Sequence, residues 1–134
     1  MQRAVSMSVT QGEVRQLKEG RYLVVDEEPC KILSITTSKP GKHGAAKARI
    51  DVVGIFDGVK RSVTMPTSDK CKIPMIDKRN AQVINIREGI AQLMDNATYE
   101  TFELPIPDEL KGEIEVGKDT MYFEAMGRKM LGRS

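Results

Sequence analysis

The chain has 134 residues and a net charge of +2, and its 40% hydrophobic and 30% charged residues are typical of a soluble globular protein. Two cysteines and one histidine exclude a disulfide scaffold and a four-cysteine metal site, and they leave little scope for a histidine-based metal centre. The longest purely apolar run, Tyr22–Val25, is far short of the ~20 residues that span a bilayer. We therefore expect a cytoplasmic protein without metal or membrane association, in which Cys30 and Cys71 are reduced and structural.

Short runs of β-branched and aromatic residues, separated by turn residues about every 8–12 positions, predict an all-β chain. In the first half the predicted strands are residues 21–26, 30–37, 47–56 and 62–65. Asp57-Gly58 is a hairpin signal after the third of them. Residues 38–46 interrupt the pattern, so we expect a long hairpin loop between the second and third strands.

The second half continues the same pattern and adds one short helix. The predicted strands are residues 81–86, 90–94, 99–104 and 120–125. Residues 107–112 begin with proline and two acidic residues and end with lysine and glycine, which matches the preferences of helix ends. The sequence therefore predicts a helix of one or two turns in an otherwise all-β half.

The charge changes sign along the chain and indicates two domains. Residues 1–72 contain 13 Lys and Arg against 8 Asp and Glu, a net charge of +5, whereas residues 73–134 have a net charge of −3. A polar segment at 67–70 and Pro74 lie at the change of sign. We predict two small β-barrels or barrel-like sheets, at 1–72 and 73–134.

The basic residues of the first half are concentrated in one segment. Residues 29–50 contain no acidic residue and five cations, namely Lys31, Lys39, Lys42, Lys47 and Arg49. Such a local positive field favours a phosphate-rich partner. A solvated surface is the simpler interpretation of five cations alone, so an RNA-binding role needs a second observation.

The aromatic residues favour core packing over base stacking. They are Tyr22, Phe56, Tyr99, Phe102, Tyr122 and Phe123. Six aromatic side chains must help to fill two cores, which leaves few for stacking on bases. We therefore expect contacts with the backbone or shape of a nucleic acid rather than base reading.

The loop at 38–46 has the composition of a projecting cationic arm. It is not a phosphate-binding P-loop, because Thr36 stands where the first glycine belongs and a strand, not a helix, follows. A catalytic lysine would need a pocket, and burial or neighbouring groups that lower its pKa. A hairpin tip is exposed, and the motif contains no carboxylate that could act as a base. Turn residues around Lys42 favour a narrow tip from which this side chain projects. His43 is interpreted as a loop-packing residue.

The string Thr-Ser-Lys-Pro-Gly-Lys-His-Gly-Ala-Ala-Lys at 37–47 closely resembles the signature loop of the translation initiation factor 5A family. In that family the lysine between glycine and histidine, here Lys42, is modified to hypusine. The resemblance covers nearly the whole chain, since residues 73–79 and 108–116 resemble the start of the family's second domain and its acidic turn. Pro40 and Ala45 replace residues common in eukaryotic members and, with the lack of longer terminal extensions, favour an archaeal member.

The resemblance implies an SH3-like barrel at 1–72 that carries the hypusine loop (38–46), followed by an OB-fold with one short helix at 73–134. It implies a non-enzymatic factor, related to bacterial elongation factor P, that binds the ribosome beside the peptidyl-tRNA and relieves stalling at proline-rich sequences. The implied partners are the ribosome, rRNA, peptidyl-tRNA and deoxyhypusine synthase, with no DNA and no membrane. Lys42 would carry a spermidine-derived aminobutyl group, as deoxyhypusine or hypusine, and no other cofactor is implied.

The resemblance also assigns roles around Lys42. The supporting loop residues are Ser38, Lys39, Pro40, Gly41, His43 and Gly44. We expect Lys39, Lys47 and Arg49 to contact the RNA backbone. The competing interpretation is a free-standing protein that binds single-stranded RNA through its OB-fold, which predicts exposed aromatic residues and a basic second domain.

Overall fold

The computed structural model describes residues 9–39 and 46–132. Its contacts divide the chain into two compact units, Met1–Met75 and Ile76–Ser134. Strands make up most of both units, and every paired strand among the described residues runs antiparallel to its neighbour. The all-β class and the two-barrel architecture, SH3-like and then OB-fold, are confirmed.

The first unit is a half-barrel built from two sheets. Its strands are Val9–Glu13 (β1), Tyr22–Val25 (β2), Glu28–Ser38 (β3), Lys47–Gly54 (β4), Lys60–Pro66 (β5) and Lys70–Pro74 (β6). Strands β2, β3, β4 and β5 pair in chain order, whereas β1 pairs with β6. A single turn of 3-10 helix, Val14–Gln16, follows β1.

Strand alternation places the core of the first unit on one face of the four-stranded sheet. Along β4 the side chains of Ala48, Ile50 and Val52 are buried, while those of Lys47 and Arg49, which alternate with them, are exposed. Successive side chains of a strand point to opposite faces, so the same strand serves the core and the surface.

The segment in which the charge changes sign contains a strand, β6, that the sequence pattern does not predict. All five residues of β6 are in register with β1, from Lys70 opposite Glu13 to Pro74 opposite Val9. Cys71 is buried on the inner side of this pair. The predicted division after Lys72 falls inside β6, and the contacts of the structure separate the units after Met75. Partners some 60 positions apart in sequence leave no local signal of their pairing.

The second unit is a nearly closed five-stranded barrel. Its strands are Asp77–Arg87 (β7), Ile90–Asp95 (β8), Thr101–Pro105 (β9), Asp119–Ala125 (β10) and Arg128–Leu131 (β11). The strand order is β11-β10-β7-β8-β9, and β9 also contacts β11. The predicted short helix is a single 3-10 turn, Asp108–Leu110, whose Leu110 is buried in the core.

The aromatic residues follow the core prediction with one exception. Tyr122 is buried, and its ring centroid lies 4.8 Å from that of Phe102. Tyr99 is 70% exposed, because it lies in the tight turn between β8 and β9 with a positive φ of 62°. Cys30 and Cys71 are free thiols and buried, as expected of structural cysteines. Within the described residues, no helix has the length and hydropathy needed to cross a membrane.

Candidate functional site

The motif singled out in the sequence lies at the end of the β3–β4 hairpin. Ser38 and Lys47 form the last registered pair of the two strands, and residues 39–46 connect them. Five predicted site residues, Pro40, Gly41, Lys42, His43 and Gly44, lie outside the described residues. Of the predicted site, the structure therefore places Ser38, Lys39, Lys47 and Arg49.

Core packing extends to the row of paired residues next to this loop, which we call a rung of the sheet. Ala48 lies opposite Thr37 on β3 and Met65 on β5, and its side chain is 1% exposed. Met65 packs against the core from the neighbouring strand. The base of the loop is thus held by buried contacts one residue away from Lys47.

Thr67 anchors the loop base, and the sequence analysis missed it. Its backbone N–H and its hydroxyl both donate to the carbonyl of Ala46, at 2.9 and 3.3 Å. The carbonyl of Thr67 accepts a hydrogen bond of 3.0 Å from the N–H of Arg15 in the 3-10 helix. The Pro-Thr-Ser-Asp sequence at 66–69 is typical of a turn, and it is the sequence feature that could have indicated an anchoring residue here.

Replacing Thr67 with valine removes the hydroxyl donor but keeps the branched shape. We expect a loss of about 0.5–1.5 kcal/mol in the free energy of unfolding, because one side-chain hydrogen bond is removed. Urea unfolding of Thr67→Val measures it. Thr64→Val is the matched control, because Thr64 is an exposed threonine of β5. Equal stability changes for the two variants would contradict the anchoring role.

The surface beside the loop carries cations flanked by hydroxyl groups. Three rungs cross β3, β4 and β5, with Ser38, Lys47 and Pro66 in the first, Thr36, Arg49 and Thr64 in the second, and Ser34, Asp51 and Ser62 in the third. Further along the same face, Val53 lies between Lys31 and Lys60. We call the outward side chains of Lys31, Lys47, Arg49 and Lys60, with these hydroxyls, the basic face.

Asp51 moderates the charge of the basic face. Its carboxylate accepts hydrogen bonds from the hydroxyls of Ser62 and Ser34, the latter at 2.9 Å, and lies 3.5 Å from Arg49 Nε. The Ser62 and Ser34 hydroxyls, with the Arg49 charge, lower the pKa of Asp51 below its ordinary value. A charged Asp51 therefore offsets part of the Arg49 charge, although Arg49 is 66% exposed.

The lysines on and next to this surface differ from Arg49 in their ion pairing. In the part of the chain that the structure describes, Lys31, Lys39, Lys47 and Lys60 form no ion pair. Their charges remain available to a partner, whereas Arg49 must share its charge with Asp51. Lys47 and Arg49 therefore lie on the same face, but among the described residues Arg49 has a carboxylate beside it and Lys47 has none.

Two family profiles match the chain, one in each half. Residues 7–69 match the profile described as "Translation initiation factor 5A-like, N-terminal", and residues 75–132 match "Eukaryotic elongation factor 5A hypusine, DNA-binding OB fold". Together they cover the hairpin, the basic face and the second barrel. The chain belongs to the translation initiation factor 5A family.

Archaeal members of the translation initiation factor 5A family are similar over almost their full length. The factor of Methanoregula boonei is 57% identical over 121 residues, which cover 90% of this chain and 97% of the relative. That of Archaeoglobus fulgidus is 54% identical and covers 92% of this chain and 96% of the relative. A solved structure from Methanococcus jannaschii, named eukaryotic translation initiation factor 5A, has a TM-score of 0.87 at 46% identity and covers 94% of both chains.

Proposed function

We propose that this protein binds the ribosome next to the peptidyl-tRNA and promotes peptide-bond formation at stalled, notably proline-rich, sequences. The observation that carries the proposal is the position of the 37–47 motif, which continues from the core-packed end of the β3–β4 hairpin beside the basic face. The proposed partners are rRNA, peptidyl-tRNA and, for modification, deoxyhypusine synthase. The proposed location is the cytoplasm.

The proposed role of Lys42 is insertion near the tRNA end. An aminobutyl group from spermidine, joined to the Lys42 amine, extends the side chain by about 6 Å at ordinary bond lengths. The product is a thin chain with two cationic nitrogens, narrow enough for an RNA-walled channel that a folded loop could not enter. Ordering the tRNA end lowers the entropic cost of reaction without covalent chemistry by the factor, so we propose no enzymatic activity.

The basic face, together with Lys39 next to it, would hold the hairpin against RNA phosphates. Lys39 and Lys47 supply cations without carboxylate partners among the described residues. The hydroxyls of Thr36, Ser38 and Thr64 are further phosphate donors, whereas those of Ser34 and Ser62 donate to Asp51. Arg49 contributes less, because Asp51 lies beside it. The second unit, with its net charge of −3, would add a few oriented contacts rather than general attraction.

A free-standing RNA-binding OB-fold protein is the second candidate. The observation in its favour is Tyr99, which is 70% exposed and available for stacking on a base. Single-strand binding of this kind uses several aromatic residues and a positive groove. The other five aromatic residues are buried or half-buried, and the second unit is acidic, so the translation-factor proposal is better supported.

Mass spectrometry of the protein purified from its native source tests the modification directly. The tryptic peptide that contains position 42 should carry the mass of one aminobutyl group, with one further oxygen if the product is hypusine. Comparison with the protein produced in bacteria without the modifying enzyme supplies the unmodified mass. A native protein with unmodified Lys42 would contradict the proposed mechanism.

Ribosome binding across a salt series tests the proposed phosphate contacts of Lys39 and Lys47. We expect Lys39→Gln/Lys47→Gln to weaken binding and to reduce the slope of log affinity against log salt by about two phosphate contacts. The control, Lys111→Gln/Lys118→Gln, removes two charges that are paired with Asp108 and Glu115 in the second unit. The control should keep the wild-type slope. A slope that changes equally in both variants would refute the proposed contact surface.

A further inference from the structure

A cleft on the second unit has no role in the function proposed above. It has a volume of about 250 Å³ and lies on the outer face of β7, β8 and β9. Its lining side chains are Asn85, Arg87, Glu88, Ile90, Gln92 and Glu103, which we call the β7–β9 cleft.

A β-bulge assembles this cleft. The register of β7 and β8 shifts between Val83 and Asn85, so Ile84 is left unpaired and Asn85 lies opposite Gln92. Bulges of this kind redirect the side chains that follow them. As a result, one row of paired residues across the three strands consists of Asn85, Gln92 and Glu103. The next row on the same outer face consists of Arg87, Ile90 and Pro105.

The polar side chains of the cleft have unused hydrogen-bonding capacity. Within the ranges that the structure describes, the side chains of Asn85, Arg87, Gln92 and Glu103 form no hydrogen bond or ion pair. Arg87 and Glu103 have opposite charges but lie on strands separated by β8, about 10 Å apart at the usual strand spacing. Other surface charges of this unit do form ion pairs, for example Lys111 with Asp108 at 3.1 Å and Lys118 with Glu115 at 3.3 Å.

The size and walls of the cleft suit one planar base. Pockets for drug-sized ligands measure about 300–1,000 Å³, so a volume of about 250 Å³ corresponds to a smaller group. Ile90 is 43% exposed and supplies an apolar floor on the middle strand. Arg87 on one side and Glu103 on the other can then reach opposite edges of a flat ring.

We propose that the β7–β9 cleft binds a guanine base. A carboxylate only accepts hydrogen bonds, and guanine is the one RNA base that presents two adjacent donors, N1–H and N2–H, to the two oxygens of Glu103. Arg87 donates to O6 and N7 of guanine, its usual acceptors for arginine. The amides of Asn85 and Gln92 lie along the same rung as Glu103 and add polar contacts.

The base, rather than a phosphate, is the recognised group. Glu88 lines the cleft and the second unit has a net charge of −3, so both disfavour a polyphosphate. Guanine occurs in RNA strands and in free nucleotides. RNA carries one phosphate charge per nucleotide whereas GTP concentrates three phosphates on one nucleotide, so the acidic surroundings disfavour GTP more than an RNA strand. This inference deepens the proposed function, and only its RNA source rests on that function.

Titration of the full-length protein with nucleoside monophosphates tests the base preference. Amide shifts in ¹H–¹⁵N spectra should follow GMP binding at β7, β8 and β9, with little response to AMP, CMP or UMP. Inosine monophosphate lacks the N2 amine and should bind more weakly. Glu103→Gln should weaken GMP binding at least tenfold and remove the preference for GMP over inosine monophosphate. Both the variant and the inosine base lack the hydrogen bond between the N2 amine and a Glu103 oxygen, so the two losses should not add. Glu100→Gln, the same charge change outside the cleft, should bind GMP like the wild type.

Two further titrations identify the source of the base. A short single-stranded RNA with one guanine should bind more tightly than GMP and than the same RNA with adenine, whereas GTP should bind no better than GMP. Tighter binding of GTP than of the RNA would show a free-nucleotide site and overturn the RNA source. Equal binding of all bases, or no shift at this face, would overturn the guanine site itself. Neither result depends on the ribosome or on Lys42, so the proposed function would stand or fall separately.

Discussion

Lys42→Arg should abolish the stimulation of proline-rich peptide synthesis and leave the melting temperature unchanged. Arginine keeps the positive charge but offers no amine that can receive the aminobutyl group, and its planar guanidinium does not replace a point-charge ammonium. Lys39 and Ala46, the described residues nearest to position 42 on either side, belong to neither core, so we expect no loss of packing. A loss of activity in this variant can therefore be attributed to the missing modification and not to a change in charge or fold.

The measurement is the rate of peptide formation on a polyproline message in a reconstituted translation system. The wild-type factor must be the modified protein, and the unmodified wild type should behave like the variant. Lys60→Arg is the matched control, because Lys60 lies on the basic face outside the motif and should keep full activity. Full activity of a homogeneous Lys42→Arg preparation would refute the hypusine mechanism.

The second large effect concerns stability and centres on Asp95 in the second unit. Its side chain is 1% exposed and accepts hydrogen bonds from Arg79 Nε at 2.8 Å and from the Tyr122 hydroxyl. The backbone N–H groups of Ala97 and Thr98 donate to its other oxygen at 2.8 and 2.9 Å. One carboxylate thus connects β7, β10 and the turn between β8 and β9. We therefore expect Asp95→Asn to disrupt all three connections.

Asp95→Asn should lower the calorimetric melting temperature of the second unit by on the order of 10 °C. The amide removes the charge that Arg79 requires, and its NH₂ group faces donors instead of acceptors. Asp108→Asn is the control, because Asp108 is exposed and its ion pair with Lys111 is on the surface. A variant as stable as this control would show that the buried network contributes nothing.

Asp95→Asn should also change how the free energy of unfolding depends on pH in acid. Hydrogen bonds from Arg79, Tyr122 and the turn backbone hold the pKa of Asp95 well below its ordinary value. Below about pH 4 the unfolded chain takes up a proton at Asp95 that the native state does not, so the native state loses stability as the pH falls. The wild type should therefore lose stability more steeply than Asp95→Asn, by about one proton. Parallel curves below pH 4 would contradict this assignment.

Strand positions were predictable where the local pattern is strong. The eight predicted strands all correspond to strands of the structure, and Asp57-Gly58 lies in the turn between β4 and β5. Three strands were missed: β1, β6 and β11. Each has only four or five residues, and β1 and β6 become a pair through partners far apart in the chain. A short strand without strong alternation is stabilised by its neighbour rather than by its own residues.

Alone, the sequence determined the all-β class, most of the strands, the family and the loop that carries Lys42. These features depend on local alternation, turn residues and one contiguous motif, all of which are visible along the chain. Only the tertiary structure decided that Asp51 lies beside Arg49, that Thr67 anchors Ala46 and that a bulge at Ile84 aligns Asn85 with Gln92. Each of these depends on which strands become neighbours and in which register, because a shift of one residue moves every side chain to the other face.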